Sequence, residues 1–394
     1  MPGAAQRLDE QLRPELESLQ AQSLYRRRRI VEGPQGAEVR LNGQRLLNFS
    51  SNDYLGLAAH PALAAAARRA LDEYGTGSGA AHLVTGHTRA HHALEAELAE
   101  FVQRPRALLF SSGYLANLGI AGALAGRGDL VLEDRLNHAS LLDAGILCGG
   151  RFSRYAHKDA KALAARLQDA GERKLVMTDG VFSMDGDLAP LPAIAHECER
   201  AQAVLMVDDA HGFGILGEHG RGTLEHFGLG PDEVPVLMAT LGKALGSFGA
   251  FVAGSEAFIE TLIQKARTYI YTTAPPAAWA EATCVALKLA RDESWRREKL
   301  HALIARLRAG AAQLDLPILE SGTAIQPLMI GDSARALAVS DALVARGILA
   351  VAIRPPTVPA GSARLRLTLT AAHSEVQVDQ LLDALAQVFK TASD

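Results

Sequence analysis

From about residue 85 the chain alternates short apolar runs with helix-length segments. The runs fall at 107–111, 129–133, 151–155, 174–178, 203–208, 235–240 and 249–254. Unbroken runs of this kind predict strands buried on both faces, in a mostly parallel seven-stranded sheet flanked by helices. Leu94, Leu98 and Phe101 mark one of the helices. The last two runs lie too close for a helical crossover, so one of those strands is expected to run antiparallel.

The flanks read differently. Residues 5–29 read as an amphipathic helix with Leu8, Leu12, Leu16 and Leu19 on one stripe, ending in Arg26-Arg27-Arg28-Arg29. Short strands follow, joined by the turn signal Leu41-Asn42-Gly43-Gln44. After a helix-rich stretch at about 255–312, strands are expected again at Ile325–Ile330, Gly347–Ile353 and Ala363–Thr370, then a helix from about 374. In the last strand Leu365, Leu367 and Leu369 alternate with Arg364, Arg366 and Thr368, which predicts an antiparallel sheet with one wet face. The expected division is an N-terminal segment at 1–50, a large α/β domain at 51–291 and a small C-terminal α/β domain at 292–394.

Composition narrows the function. The 394 residues are 48% hydrophobic and carry a net charge of −4. That suits a globular protein with ample core and gives no support for a nucleic-acid partner. Cys148, Cys198 and Cys284 are widely spaced, form no metal-type pair and point to a reducing compartment. The opening residues include Arg7, Asp9 and Glu10, unlike a secretory signal. The longest apolar candidate, 234–254, is interrupted by Lys243 and glycines, so no membrane span is expected. Cytoplasm is the expected location, and no metal site is expected.

The chemistry centres on Lys243, held among small residues in Ala239-Thr240-Leu241-Gly242-Lys243-Ala244-Leu245-Gly246. A Schiff-base lysine needs a weakly solvated pocket that frees its amine. Upstream, Val204-Leu205-Met206-Val207-Asp208-Asp209-Ala210-His211 ends an apolar run in two carboxylates and an imidazole. A pyridoxal phosphate ring needs a carboxylate at its pyridinium nitrogen. Taken singly, a lysine beside glycines is ordinarily a solvated loop residue, and an Asp at a strand end a cap or turn former. Together they mark a cofactor site. In open α/β sheets ligands bind beyond the carboxyl ends of the strands. The residues there include Ser112-Gly113-Tyr114, where a glycine at a helix start lets N–H groups approach a phosphate. They also include His138, Ser183 and Thr240.

The ordered set Ser-Gly-Tyr, Asn-His-Ala-Ser, Phe-Ser-Met-Asp-Gly-Asp, Val-Asp-Asp-Ala-His-Gly and Thr-Leu-Gly-Lys resembles the α-oxoamine synthases. These are pyridoxal 5'-phosphate enzymes of the aspartate-aminotransferase fold type, fold type I of the PLP-dependent transferases. The resemblance implies that Lys243 carries the cofactor, Asp208 holds its ring nitrogen and His138 stacks on the ring. It places His211 and Ser183 at the phenolic oxygen, and Gly113, Tyr114 and Thr240 around the phosphate. Arg354 would grip the amino-acid carboxylate, with Thr357, Asn52, His138 and Arg26 placing substrate.

The implied reaction is a decarboxylative condensation of an amino acid with an acyl thioester. The segment 353–366 and Ser51-Asn52-Asp53-Tyr54-Leu55-Gly56-Leu57 resemble the family branch that uses L-alanine and a pimeloyl thioester, on coenzyme A or an acyl carrier protein, in biotin synthesis. The resemblance also implies a homodimer, with Gly75-Thr76-Gly77-Ser78-Gly79 near the interface. Two departures stand out. Asp179 occupies a position where many of these synthases have Glu and the glycine acetyltransferase branch often has Asp, so that sister enzyme and 5-aminolevulinate synthase stay open as alternatives, with an inactive structural paralogue as a second; and 272–276 is about a residue shorter than usual.

Overall fold

The computed structural model describes residues 3–390. Their chain forms two compact units. The larger comprises Asn52–Ser183 and Asp187–Leu300; the smaller takes Met184–Gly186 with the chain before Asn52 and after Leu300.

The larger unit is built on seven strands: β1 (Arg106–Phe110), β2 (Leu130–Asp134), β3 (Arg151–Tyr155), β4 (Lys174–Asp179), β5 (Val204–Asp208), β6 (Val236–Thr240) and β7 (Ala250–Gly254). Their order across the sheet is β1-β7-β6-β5-β4-β2-β3. β3, β2, β4, β5 and β6 pair in parallel. β7 runs antiparallel to both β6 and β1. The seven apolar runs thus become the seven strands, reversal included. The core side chains come from sheet and helices alike, among them Leu108, Met177, Met206 and Val252 with Ile120 and Leu262. β3, at the sheet edge, is the strand that keeps exposed arginines, Arg151 and Arg154.

This topology positions chemistry. The carboxyl ends of the six parallel strands share one edge, and the loops carrying the sequence candidates leave from it. The reversal into β7 is made by Leu241–Gly249. Leu241 N–H donates to Gly249 O at 2.9 Å, and Gly246 N–H donates to Lys243 O at 2.9 Å. Gly246 has φ +60°, and a Cβ there would meet Ala58 N at 2.3 Å. Glycine is therefore required beside the lysine, both for the backbone and for the space.

The smaller unit contains two sheets. Val31–Glu32, Glu38–Leu41 and Gln44–Asn48 form an antiparallel meander, and Ile348–Leu349 adds to Gln44–Asn48 in parallel. Residues before Ser51, expected as a segment of their own, therefore share a sheet and a core (Val39, Leu41, Leu46, Leu349) with the C-terminal residues. The second sheet orders Ile325–Gly331, Ala363–Thr368 and Ala352–Ile353, all antiparallel.

Two expectations need correction. The face of 363–368 carrying Arg364, Arg366 and Thr368 is buried, not wet. Arg364 is accommodated because it forms an ion pair with Asp185 and donates to Met184 O at 3.2 Å. The N-terminal helix spans Ala4–Ala21, shorter than 5–29. Ser23 takes a left-handed φ of 57°, and Leu24 and Tyr25 N–H both turn back to Leu19 O. Arg26–Arg29 consequently lie in exposed coil beyond the helix, and Leu8, Leu12 and Leu16 are exposed too.

Gly246→Ala tests the reversal. A side chain at this left-handed position costs about 1–3 kcal/mol before any clash. The thermal unfolding midpoint is expected to drop by several degrees, with the neighbouring Gly242→Ala, which meets only Ser247 O at 3.4 Å, falling much less.

Candidate active site

Two hydrogen-bonded chains stand at the strand-end edge. In the first, Lys243 Nζ lies 2.8 Å from His211 Nε2. The other ring nitrogen, His211 Nδ1, lies 2.7 Å from the Tyr54 hydroxyl, which donates to Asn52 Oδ1 at 3.1 Å. Tyr54 is fully buried and His211 nearly so. Packing and hydrogen bonds on both sides thus fix the imidazole, and through it the lysine amine.

The second chain starts from Asp208, at the end of β5 and 3% exposed. Its Oδ2 accepts from Asn117 Nδ2 at 2.8 Å and its Oδ1 from Ala210 N–H at 3.0 Å. The same Asn117 amide donates to Ser140 Oγ at 2.8 Å, and Ser140 Oγ lies 2.7 Å from His138 Nδ1. His138 N–H donates to Asp179 Oδ2 at 2.6 Å. Asp179 and Asp208 are paired neighbours across β4 and β5.

Electrostatics separates these groups. Burial, and then the charge of Asp208, raises the Asp179 carboxyl well above the usual carboxylate range. Asp209 is pushed up to about 8, first by burial. Two of the three neighbouring acids therefore lean neutral. Asp209 is structural: its Oδ2 accepts from Thr223 N–H at 2.7 Å, and a Cβ at Gly212 or Gly222 would collide with its carboxyl group. Burial also lowers the His138 pKa, favouring the neutral imidazole.

The residues fit pyridoxal phosphate. Gly113 opens the helix Gly113–Leu124 directly after β1. A Cβ on Gly113 would meet Thr240 Cγ2 at 2.9 Å, so only glycine leaves this corner open. The buried Thr240 Oγ1 has no partner among the described residues. An unpaired hydroxyl beside a helix N-terminus suits a phosphate. Tyr114 is less committed: it is exposed, and its hydroxyl donates to Asp143. Ser183 is buried in the turn after β4, where Phe182 N–H donates to Asp187 O at 3.0 Å.

Arg26, Arg354 and Thr357 belong to the smaller unit. They gather there: Arg26 donates to Thr357 Oγ1 at 3.2 Å, and Arg354 donates to Ser23 O and, at 3.4 Å, to Tyr25 O. Burial, and then the charge of Arg26, lowers the Arg354 pKa.

Sequence reasoning passed over Asn117, Ser140 and Tyr54 as actors. It also passed over His157, whose Nδ1 lies 2.9 Å from Asp134 Oδ1 and whose Nε2 lies 3.0 Å from Asp187 Oδ2. This imidazole ties the end of β2 to the turn that follows Ser183. No local motif announces it, since its partners are remote in sequence.

The likenesses to known proteins agree with this geometry. The family model for aminotransferase class I and II matches residues 44–385. A protein of Nitrosococcus oceani called 8-amino-7-oxononanoate synthase is 64% identical over 375 residues, 95% of this chain and 100% of the relative. One of the same name from Methylococcus capsulatus is 63% identical, covering 94% of this chain and 96% of its own. Among solved structures, a serine palmitoyltransferase from S. paucimobilis superposes with TM-score 0.93 at 27% identity, covering all of both chains. An 8-amino-7-oxononanoate synthase from Francisella tularensis gives TM-score 0.78 at 31% identity, over 89% of this chain and 99% of that one. The chain belongs to the aminotransferase class I and II family, the pyridoxal-phosphate enzymes of fold type I, and within it to the 8-amino-7-oxononanoate synthases.

The His157 clamp gives a pH prediction. Burial alone would lower its pKa, but the bonds and charges of Asp134 and Asp187 outweigh burial and raise it to about 9. In the unfolded chain it titrates near ~6.5. The clamp's contribution is therefore complete below that pH and is lost as pH rises to about 9. Thermal midpoints measured across this window should fall more steeply for the native protein than for His157→Gln.

Proposed function

We propose that this protein condenses L-alanine with a pimeloyl thioester, releasing carbon dioxide and free thiol and giving 8-amino-7-oxononanoate for biotin biosynthesis. The observation that carries the reading is the Lys243–His211–Tyr54 chain beside a buried Asp208, in a protein 64% identical to a synthase of that name over the relative's whole length.

When bound, pyridoxal phosphate serves as an electron sink for the charge left at alanine Cα after its proton is removed. The chain's residues do the rest. Thr240 and Gly113 hold the phosphate, and Asp208, oriented by Asn117, supplies the fixed negative charge that keeps a ring nitrogen protonated. His138 offers a neutral aromatic face. Ser183, and Tyr114 by its position after Gly113, complete the cofactor surroundings. Lys243 Nζ takes the α-proton and later returns one, while His211 and Tyr54 hold it in place. Alanine Cα then attacks the thioester carbonyl, the carbon–sulfur bond breaks and the thiol leaves. The alanine carboxylate departs as carbon dioxide, and Cα is reprotonated. Arg354 receives the amino-acid carboxylate; Asn52, His138 and Thr357 place substrate, and Arg26 meets the acyl donor.

The resemblance supports a homodimer and a cytoplasmic location. No helix among the described residues is long and apolar enough to cross a membrane. Asp179 favours one second reading, a sister condensing enzyme that uses glycine. Pairing alanine or glycine with short and long acyl thioesters decides between them: turnover confined to glycine with a short acyl group would replace the reading.

Lys243→Ala is expected to lose turnover by at least the ~10²–10⁴-fold that a positioned proton carrier contributes, with the fold preserved by circular dichroism. Borohydride should fix the cofactor on Lys243; label on Lys265 or Lys288 would overturn the assignment. Arg26→Ala should raise the apparent KM for the acyl thioester several-fold and leave that for alanine nearly unchanged. Charge reversal at Arg27 or Arg28 should act only at low ionic strength, because exposed charges are screened beyond about 10 Å.

A further inference from the structure

A second cluster of donor side chains lies in the larger unit, apart from every residue assigned above. Four imidazoles, His82, His87, His91 and His92, and the Glu95 carboxyl meet at the start of the helix Arg89–Phe101. His82, His87, His92 and Glu95 border a cavity of about 350 Å³ whose other walls include Tyr269 and Arg106. His91 is spoken for: Nδ1 caps its own helix at Thr88, and Nε2 lies 2.7 Å from Pro275 O. The other three differ. His92 and Glu95 stand three residues apart on one helix face, and His87 reaches them from the preceding loop. One ligand atom from each of His87, His92 and Glu95 lies within 4.8 Å of the others.

We infer that His87, His92 and Glu95 form a site for a borderline divalent transition-metal ion such as Zn²⁺. Two imidazoles and one carboxylate suit that class better than Mg²⁺ or Ca²⁺, which take all-oxygen shells. Tetrahedral ligands at ~2.1 Å from zinc stand about 3.4 Å apart. The His87 Nε2 to Glu95 Oε2 distance is 3.9 Å, so a small side-chain contraction closes the set.

The supporting contacts have the form such sites require. His87 Nδ1 lies 3.0 Å from His82 Nδ1, so a proton held there leaves Nε2 as the lone-pair atom facing Glu95. His82 is itself fixed by stacking on Tyr269, at 5.0 Å and 11°. Glu95 spends one oxygen on Leu109 N–H at 3.0 Å and keeps the other towards His87. His92 is exposed, which leaves room for water as a fourth ligand. The ion would tie the loop at His87 to the helix Arg89–Phe101 and act as a brace.

The test uses the cofactor-loaded full-length protein and the metal alone. Titration calorimetry with Zn²⁺, and visible absorption with Co²⁺ as a tetrahedral reporter, should find one tight ion per chain and a rise in thermal midpoint. His92→Ala, on an exposed helix position, and Glu95→Gln, which keeps an acceptor for Leu109 N–H, should each weaken binding at least ten-fold. His82→Phe keeps the stack on Tyr269 but removes the partner of His87, and should lose about 10–100-fold as outer-shell changes do. Zn²⁺ affinity and the Co²⁺ spectrum unchanged in both His92→Ala and Glu95→Gln, or no tight ion at all, would overturn the proposal.

Discussion

Everything at the strand-end edge depends on housing three neighbouring carboxyl groups where the sheet is driest. Asp179, Asp208 and Asp209 end adjoining strands and are all buried. Three carboxylates so close would repel one another and lose their hydration together. The structure resolves this by giving each a different partner. Asp209 is enclosed by glycines and the Thr223 amide, Asp179 by the His138 amide and Asp208 by the Asn117 side chain. Desolvation pushes the first two towards the neutral form.

That arrangement needs the parallel sheet. Neighbouring strands that run the same way bring their carboxyl ends to one edge, where side chains from β1, β2, β4, β5 and β6 meet. The single reversal, into β7, is what places Lys243 in a short tight turn instead of a long crossover. Its glycines serve the backbone, and the lysine is held by His211, which comes from the next strand end. Fold and site are two descriptions of one packing solution.

The sequence displays the strands because their burial on both faces leaves continuous apolar runs, and it displays Lys243, Asp208 and His138 because each follows such a run. It hides what depends on partners far away. Arg364 looks like part of an exposed face until Asp185 arrives from another part of the chain. Asn117 and Tyr54 are ordinary polar and aromatic residues until the fold brings them to Asp208 and His211. The N-terminal helix ends early because Ser23 adopts a left-handed conformation, for which serine gives no local warning. Positions set by distance along the chain are readable; contacts set by distance in space are not.

The smaller unit is not one stretch of polypeptide, and this bears on how the chain emerges from the ribosome. The strand Gln44–Asn48 is synthesised near the beginning, yet its parallel partner Ile348–Leu349 comes about three hundred residues later. At a translation rate of roughly 5–20 residues per second the wait lasts about 15–60 s. Throughout it Val39, Leu41 and Leu46 lack the Leu349 side chain that completes their cluster. The strands of the larger unit, by contrast, are complete by Gly254. The nascent chain must therefore shelter its own first strands while the catalytic sheet assembles behind them, which makes the earliest-made residues among the last to reach their final environment.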